Sequence, residues 1–264
     1  MAERKEVVIV GGGPVGLTLG IALGKAGIST AVIERDARLL DAWQPLARER
    51  QHTRDILKVC ARYRHPISVI TKSALIRRDL DILAPMAADG LVKAAISVTT
   101  LDRRLARDLE PRAAAPHRRL ETIRALKQAG IPVTVMMAPI IPALTDHEIE
   151  ALLEAAAQAG ADNAAYVLLR LPLEIRDLFR EWLADKRPDA AGRVMSLIRQ
   201  MRNGKDYDAQ WATRGRGTGP YARLIASRFR KAITRFKLDA PRAVLDTSRF
   251  ERPLGSAAQP SLFG

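Results

Sequence analysis

Cysteine is what this chain has least of: one in 264 residues, Cys60. A single thiol closes no intramolecular disulfide, which fits a reducing compartment. It also excludes a zinc or iron–sulfur site built from the chain's cysteines alone. Histidine is scarce as well, and His52, His65, His117 and His147 stand apart without metal-ligand spacing. Acidic residues are few: 29 Asp and Glu face 43 Lys and Arg, leaving a formal net charge of +14 and a pI near 10.5. A positive field of that size favours polyanions such as nucleic acid, while an arginine bias from a GC-rich genome gives the same composition. Long apolar runs are missing with one exception, Val7 to Leu23. That window holds five glycines and a proline and leads to a charged, strand-like ending at Glu34. No small-residue cleavage site follows, so neither a signal peptide nor a membrane span is expected. The expectation is a soluble, cytoplasmic protein with no membrane partner.

What the chain does have is a core's worth of hydrophobic residues (47%) in a length that suits one large α/β domain or two modest ones. From Pro66 to Pro172 four apolar runs, HPISVITKS, LVKAAISVTTLD, IPVTVMMAPIIPAL and AAYVLLRLP, alternate with helical stretches. Near-continuous apolar runs predict strands buried on both faces. Gly90, Gly130 and Gly160 precede strands where a helix needs a left-handed residue to stop. Thr145 and Glu148 have capping-box spacing. Strands alternating with helices predict right-handed crossovers and a parallel sheet or barrel. Ligands then gather at the C-terminal strand ends. Those ends carry Thr71-Lys72-Ser73, Ser97 to Asp102, Pro139 to Asp146 and Arg170 to Glu174.

Upstream, EVVIVGGGPVGLTLGIALGKAGISTAVIERD reads as strand, glycine loop, helix and strand. Gly11, Gly13 and Gly16 form G-x-G-x-x-G directly after a strand and at the opening of a helix, where a pyrophosphate can approach the backbone. Glu34 ends the second strand, near the ~20-residue offset at which an acid accepts from a ribose hydroxyl. A glycine turn that only closes a βα unit is the alternative. The stretch resembles the FAD-binding start of flavoprotein monooxygenases over about the first 40 residues. The later Asp-Gly motif of such enzymes has one counterpart, Asp89-Gly90, which reads as a helix stop, and no Gly-Asp dipeptide occurs.

A second resemblance covers roughly Asp41 to the C-terminus. AWQPLARERQHTRDIL, HPISVITKS, RRDLDILAPMA, AAISVTTLD, EPRAAAPHRRLETIRALKQAGIPV, APIIPALTDHEIE, YVLLRLPLEIRDLFREWL and GKDYD together look like the radical SAM superfamily, in the branch similar to spore photoproduct lyase. The resemblance implies a partial parallel β/α barrel that binds S-adenosylmethionine (SAM) beside a 4Fe–4S cluster. It places Lys72, Ser97 and Arg170 on the SAM-contacting rim, with Ser73 as a helix N-cap and Ser97 as a satisfied strand-end hydroxyl among the alternatives. It also implies a CxxxCxxC loop, and this chain departs from it there. Cys60 stands alone on a helix whose stripe is Ile56, Leu57, Cys60 and Ala61, so a structural thiol is expected. Val7–Val10 and Thr30–Glu34 would take the place of the family's front strands, for six in all. The expected product is a SAM-type barrel related to DNA-lesion repair without ligands for its iron. The alternatives are an FAD or dinucleotide oxidoreductase and a non-enzymatic DNA- or clamp-binding protein.

Beyond Pro172 two helices flank Pro188, then come the loop RGRGTGPYAR and a helix with an apolar stripe of Ile225, Phe229, Ile233 and Phe236. Its other faces carry Arg223, Arg228, Arg230, Lys231, Arg235 and Lys237, either a solvated face or a phosphate-contacting one. The tail Gln259-Pro260-Ser261-Leu262-Phe263 resembles a sliding-clamp-binding peptide. The expected segments are a dinucleotide-binding βαβ over 1–40, a partial barrel over 41–175 and a basic helical extension over 176–264.

Overall fold

The computed structural model describes residues 7–10, 30–33, 38–40, 43, 51–210 and 213–251. Gly11, Gly13, Gly16, Glu34 and the Gln259–Phe263 tail lie outside them. The described strands are β1 (Val7–Val10), β2 (Thr30–Ile33), β3 (Arg38–Leu40), β4 (Ile67–Thr71), β5 (Val92–Ser97), β6 (Val133–Ile140) and β7 (Asn163–Leu168). The described helices are α1 (His52–Arg62), α2 (Leu80–Ala88), α3 (Arg103–Leu109), α4 (Pro116–Gln128), α5 (Ile149–Gln158), α6 (Ile175–Lys186), α7 (Pro188–Gln200) and α8 (Gly219–Phe236).

The alternation of strand and helix gives a parallel sheet, as the sequence predicts. Five strands hydrogen-bond in the order β3-β4-β5-β6-β7, with helix between each neighbouring pair, and the sheet does not close. Arg38–Leu40 pairs in parallel with Ser68–Ile70, and Thr134 to Ile140 with Asn163 to Leu168. The front of the expected six-stranded arrangement needs correcting. β1 and β2 pair in parallel with each other, Val7 opposite Thr30, and form a two-stranded sheet of their own. The position beside β4 is taken by β3, a three-residue strand too short to show a periodicity in the sequence. Burial on both faces belongs to β5, the middle strand, whereas β4 and β7 alternate buried and half-buried residues.

The chain packs as two compact units whose boundary falls within β5: residues 1–94 with 129–131 and the stretch from 243 onward, and residues 95–128 with 132–242. The last described residues belong to the first unit. Asp246 donates its backbone N–H to Gly90 (3.0 Å), Glu251 to Tyr63 (3.0 Å), and Phe250 meets the His65 ring edge-on at 5.4 Å. Leu57, Ile67, Val69, Ile76, Leu83, Met86, Leu91 and Val92 form the aliphatic core of this first unit.

In the second unit, α3, α6 and α7 bury Leu105, Ile141, Leu144, Phe179, Leu183, Val194 and Ile198 together. α8 buries Ala222, Ile225, Phe229 and Ala232, with Phe229 against the Tyr166 ring at 4.6 Å. The expected stripe is thus rotated: Ala222 and Ala232 are buried beside Ile225 and Phe229, and Ile233 and Phe236 are only half-buried. Helix stops fall where expected, with φ of 72° at Gly90, 74° at Gly130 and 96° at Gly160. Gly217 in the RGRG loop is needed for packing. Its φ is 68°, and a Cβ there would meet Leu168 Cδ1 at 3.0 Å and the Met201 carbonyl at 3.3 Å.

The Thr145–Glu148 capping box does not form. Thr145 Oγ1 instead accepts from the Ile141 N–H (2.9 Å), and Asp146–Glu148 is a 3₁₀ turn leading into α5. Glu148 faces the loop after β5, whose donors it satisfies in place of its own helix start. Among the described residues no helix is long and apolar enough to cross a membrane.

Candidate functional site

The C-terminal end of β5 is held by side chains from several other elements of the second unit. Ser97, Thr99 and Thr100 are buried there. Glu148 accepts from the Thr100 hydroxyl and from the Leu101 N–H (3.1 Å). Asp102 caps α3 by accepting from Arg104 N–H (2.7 Å) and Leu105 N–H (3.1 Å), with Thr100 Oγ1 accepting from Asp102 N–H in turn. From below, the buried Arg119 of α4 donates Nη1 to the Ser97 carbonyl (3.0 Å), Nε to the Ala114 carbonyl (2.7 Å) and Nη2 to Glu110 (2.5 Å). Thr99 Oγ1 also donates to Glu110, at 3.3 Å. Of the three hydroxyls on this strand end, two are engaged by carboxylates. Only the Ser97 hydroxyl makes no hydrogen bond among the described residues. A rigid loop with one unspent hydroxyl is suited to hold a polar ligand group at small entropic cost.

Arg170, which follows β7, is exposed and makes no ion pair among the described residues. Beside it the buried Arg202 donates to the Leu169 carbonyl (3.0 Å) and the Thr213 carbonyl (3.1 Å). Burial lowers the Arg202 pKa below its ordinary value, with Arg170 adding repulsion. In the first unit, Thr71 at the end of β4 is buried and Lys72 is half-buried. Ser73 does cap the next turn, accepting from the Leu75 N–H at 3.2 Å. Sequence reasoning named Lys72, Ser97 and Arg170 as candidates; it did not name Arg119, Glu110 or Glu148 among them. Arg119 has no signal of its own, since it sits among the arginines of a basic helix. Glu148 had one, but its spacing pointed to the helix cap.

Tyr221 of α8 donates its hydroxyl to Asp146 Oδ2 at 2.5 Å, beyond the end of β6. Burial, then the hydrogen bond to Asp146, pushes the phenol from its ordinary value of 10 up to about 12. A raised folded-state pKa means that this contribution to stability is complete below pH 10 and is lost as pH rises through about 12. Tyr221→Phe is expected to flatten that alkaline limb when urea midpoints are followed against pH. An unchanged limb would show that Tyr221 is not the group that titrates.

The fit to an iron–sulfur cluster fails on the donor set. A cluster needs several thiolates, and Cys60 is the chain's one cysteine. It sits half-buried on α1, with burial pushing its thiol up to about 11, so it is protonated at neutral pH. Among the described residues no group of three or more His, Cys, Asp and Glu side chains can hold a metal ion. A cavity of about 160 Å³ lined by Arg103, Arg107, Glu110 and Pro111 is also below the ~300 Å³ at which cofactor pockets begin.

The family model described as "Radical SAM superfamily" matches residues 3–156. An uncharacterized protein of Mycobacterium tuberculosis is 37% identical over 137 residues, covering 51% of this chain and 40% of the relative. An uncharacterized protein of Methanocaldococcus jannaschii is 30% identical over 108 residues, covering 41% and 40%. The chain thus spans about 40% of the length of these curated relatives. Among solved structures, Streptococcus suis SuiB bound to S-adenosylmethionine aligns with a TM-score of 0.41 at 13% identity, over 76% of this chain and 51% of that one.

Proposed function

Because the chain belongs to the radical SAM superfamily, we propose that it binds S-adenosylmethionine at its strand ends and that its own residues do not ligate the cluster. The observation that carries this reading is the pairing of a fixed, hydroxyl-bearing end of β5 with one high-pKa thiol in the whole sequence. Ser97 offers a hydroxyl to the ribose or amino-acid part of the ligand, and Arg170 a guanidinium to a carboxylate. Lys72, in the first unit, is a separate candidate that the family resemblance suggests. No step through iron is assigned to this chain. The resemblance to the spore photoproduct lyase-like branch suggests a DNA lesion as the substrate class of the reading.

Calorimetry with S-adenosylmethionine on the purified chain tests it. Ser97→Ala is expected to weaken binding about fivefold, the loss of one neutral hydrogen bond of ~1 kcal/mol. Lys72→Ala and Arg170→Ala remove charged donors worth ~1.5–3 kcal/mol, hence roughly ten- to hundredfold each. Absence of binding heat and of any shift in Tm with the ligand would end the reading. Anaerobic reconstitution with iron and sulfide is expected to leave no stoichiometric cluster, and a stoichiometric one would overturn the second half of the proposal.

A further inference from the structure

Residues 209–238 hold eight Lys and Arg and no Asp or Glu. Several arginines elsewhere in the molecule are met by acids, as in Arg54 with Asp81, Arg187 with Asp108 and Arg249 with Asp89. On α8 one is: Arg228 grips Glu150 of α5 through Nε (2.9 Å) and Nη2 (2.5 Å), which holds the Glu150 carboxyl below its ordinary range. Arg223, Arg230, Lys231, Arg235 and Lys237 are exposed and make no ion pair among the described residues. Like charges a turn apart, as at Lys231 and Arg235, cost a helix ~0.2–0.5 kcal/mol per pair. The fold tolerates that cost along α8, where a run of thirty residues supplies no acid to offset it.

The positions are ordered. Arg223, Ser227, Lys231 and Arg235 follow one another at intervals of four. They form a ridge with a step of about 6 Å along the axis, and Arg230 lies beside it. Two neighbouring cations drop out of the surface. Arg216 is stacked over the Tyr166 ring at 4.5 Å, and Arg228 is held by Glu150. The glycine of the loop before α8 is fixed by packing at Gly217. A membrane surface is disfavoured because an interfacial helix must bury its apolar face in lipid. The apolar face of α8, Ala222, Ile225, Phe229 and Ala232, is already buried in the second unit.

We infer that the exposed ridge of α8 is a docking surface for the phosphate backbone of nucleic acid. It reads charge and spacing, not base sequence. The inference rests on α8 alone, so it stands or falls separately from S-adenosylmethionine binding.

The test is fluorescence anisotropy of a short labelled duplex DNA with the full chain over a series of potassium chloride concentrations. The variant Arg223→Gln/Arg230→Gln/Lys231→Gln is expected to reduce the slope of log K against log salt by about 2–3, at ≈ 0.9 for each phosphate no longer neutralised. A control of equal net charge, Arg118→Gln/Arg176→Gln/Lys186→Gln, removes cations that face Glu121, Asp177 and Asp185 and is expected to leave most of the slope in place. An unchanged slope in the first variant, or an equal fall in the control, overturns the inference. Arg223→Gln/Arg235→Gln repeats the measurement with a lighter substitution should the triple variant lose its fold, and the same criteria apply. Capture by phosphatidylserine vesicles without salt-dependent duplex binding overturns it as well.

Discussion

Arg119→Met is expected to destabilise the protein by about 3–5 kcal/mol, the cost of leaving a buried ion pair with one member. The side chain is 2% exposed and its partner Glu110 14%, so water cannot stand in for the guanidinium. The ion pairs on the outer surface, such as Arg176 with Asp177, are worth ~0–1 kcal/mol each. The difference is one of environment. Arg119 also donates to two backbone carbonyls, at Ser97 and Ala114, and those acceptors are left without that donor in the variant. The double variant Arg119→Met/Glu110→Met is therefore expected to regain only the charge part of the loss. Urea midpoints at constant m value measure both. A single-variant loss below ~1 kcal/mol would rank Arg119 with the surface pairs, and a double variant as damaged as the single one would assign the loss to the carbonyls. In either variant the Ser97 carbonyl is released, and weaker S-adenosylmethionine binding should accompany the loss of stability.

Much of the fold was legible because β-strands and helix stops leave local signals. The apolar runs at 67–71, 92–97, 133–140 and 163–168 became strands, and the three glycines before strands took the left-handed conformation a helix stop requires. β3 was not legible. Three residues cannot display a period, and Arg38–Leu40 is a strand only because Ser68–Ile70 is there to pair with it. The capping box failed for a related reason. Its spacing is a local rule, and Glu148 was claimed by donors about 47 residues away in sequence, at Thr100 and Leu101. The candidate site divides the same way. Ser97 and Lys72 stand at strand ends that periodicity finds, whereas Arg119 acts through tertiary interactions that no short motif encodes. The α8 stripe shows the intermediate case: the helix was read correctly, yet which apolar residues it buries was decided by Tyr166 and α5.

The functional reading depends on one subtraction, and that too was visible in the sequence. A chain with one cysteine cannot assemble a cluster site of its own, whatever its strands do. The structure adds the reason why Cys60 is no remnant of one: it lies on α1, where burial keeps the thiol protonated at neutral pH. What the strand ends retain is hydrogen-bonding capacity without a redox centre, so binding is the property to measure first.

Asp79→Ala is expected to cost about 3–5 kcal/mol, because it removes the anion at the centre of a buried network. Asp79 has no exposed surface, and it accepts from the indole N–H of Trp43 (2.7 Å), from Arg54 (3.0 Å) and from Arg78 Nε (3.4 Å). The carboxylate sits at the start of α2 but caps nothing; both oxygens are committed to side chains from other elements. It thereby fixes Trp43, itself 1% exposed, and α1 through Arg54, which reaches Asp81 as well. Asp79→Asn keeps the shape and one acceptor oxygen but turns an amide N–H toward a donor, so it should rescue little of the loss. Trp43→Phe tests the indole hydrogen bond separately and is expected to cost ~1–3 kcal/mol. A blue-shifted emission assigned by difference to Trp43 should move to the red in Asp79→Ala below its unfolding midpoint, as the indole loses its partner and its dry surroundings. If Asp79→Asn is as stable as the parent, charge is not what holds this network. Shape and one hydrogen bond would then suffice, and the 3–5 kcal/mol expectation for the alanine variant would fall with it.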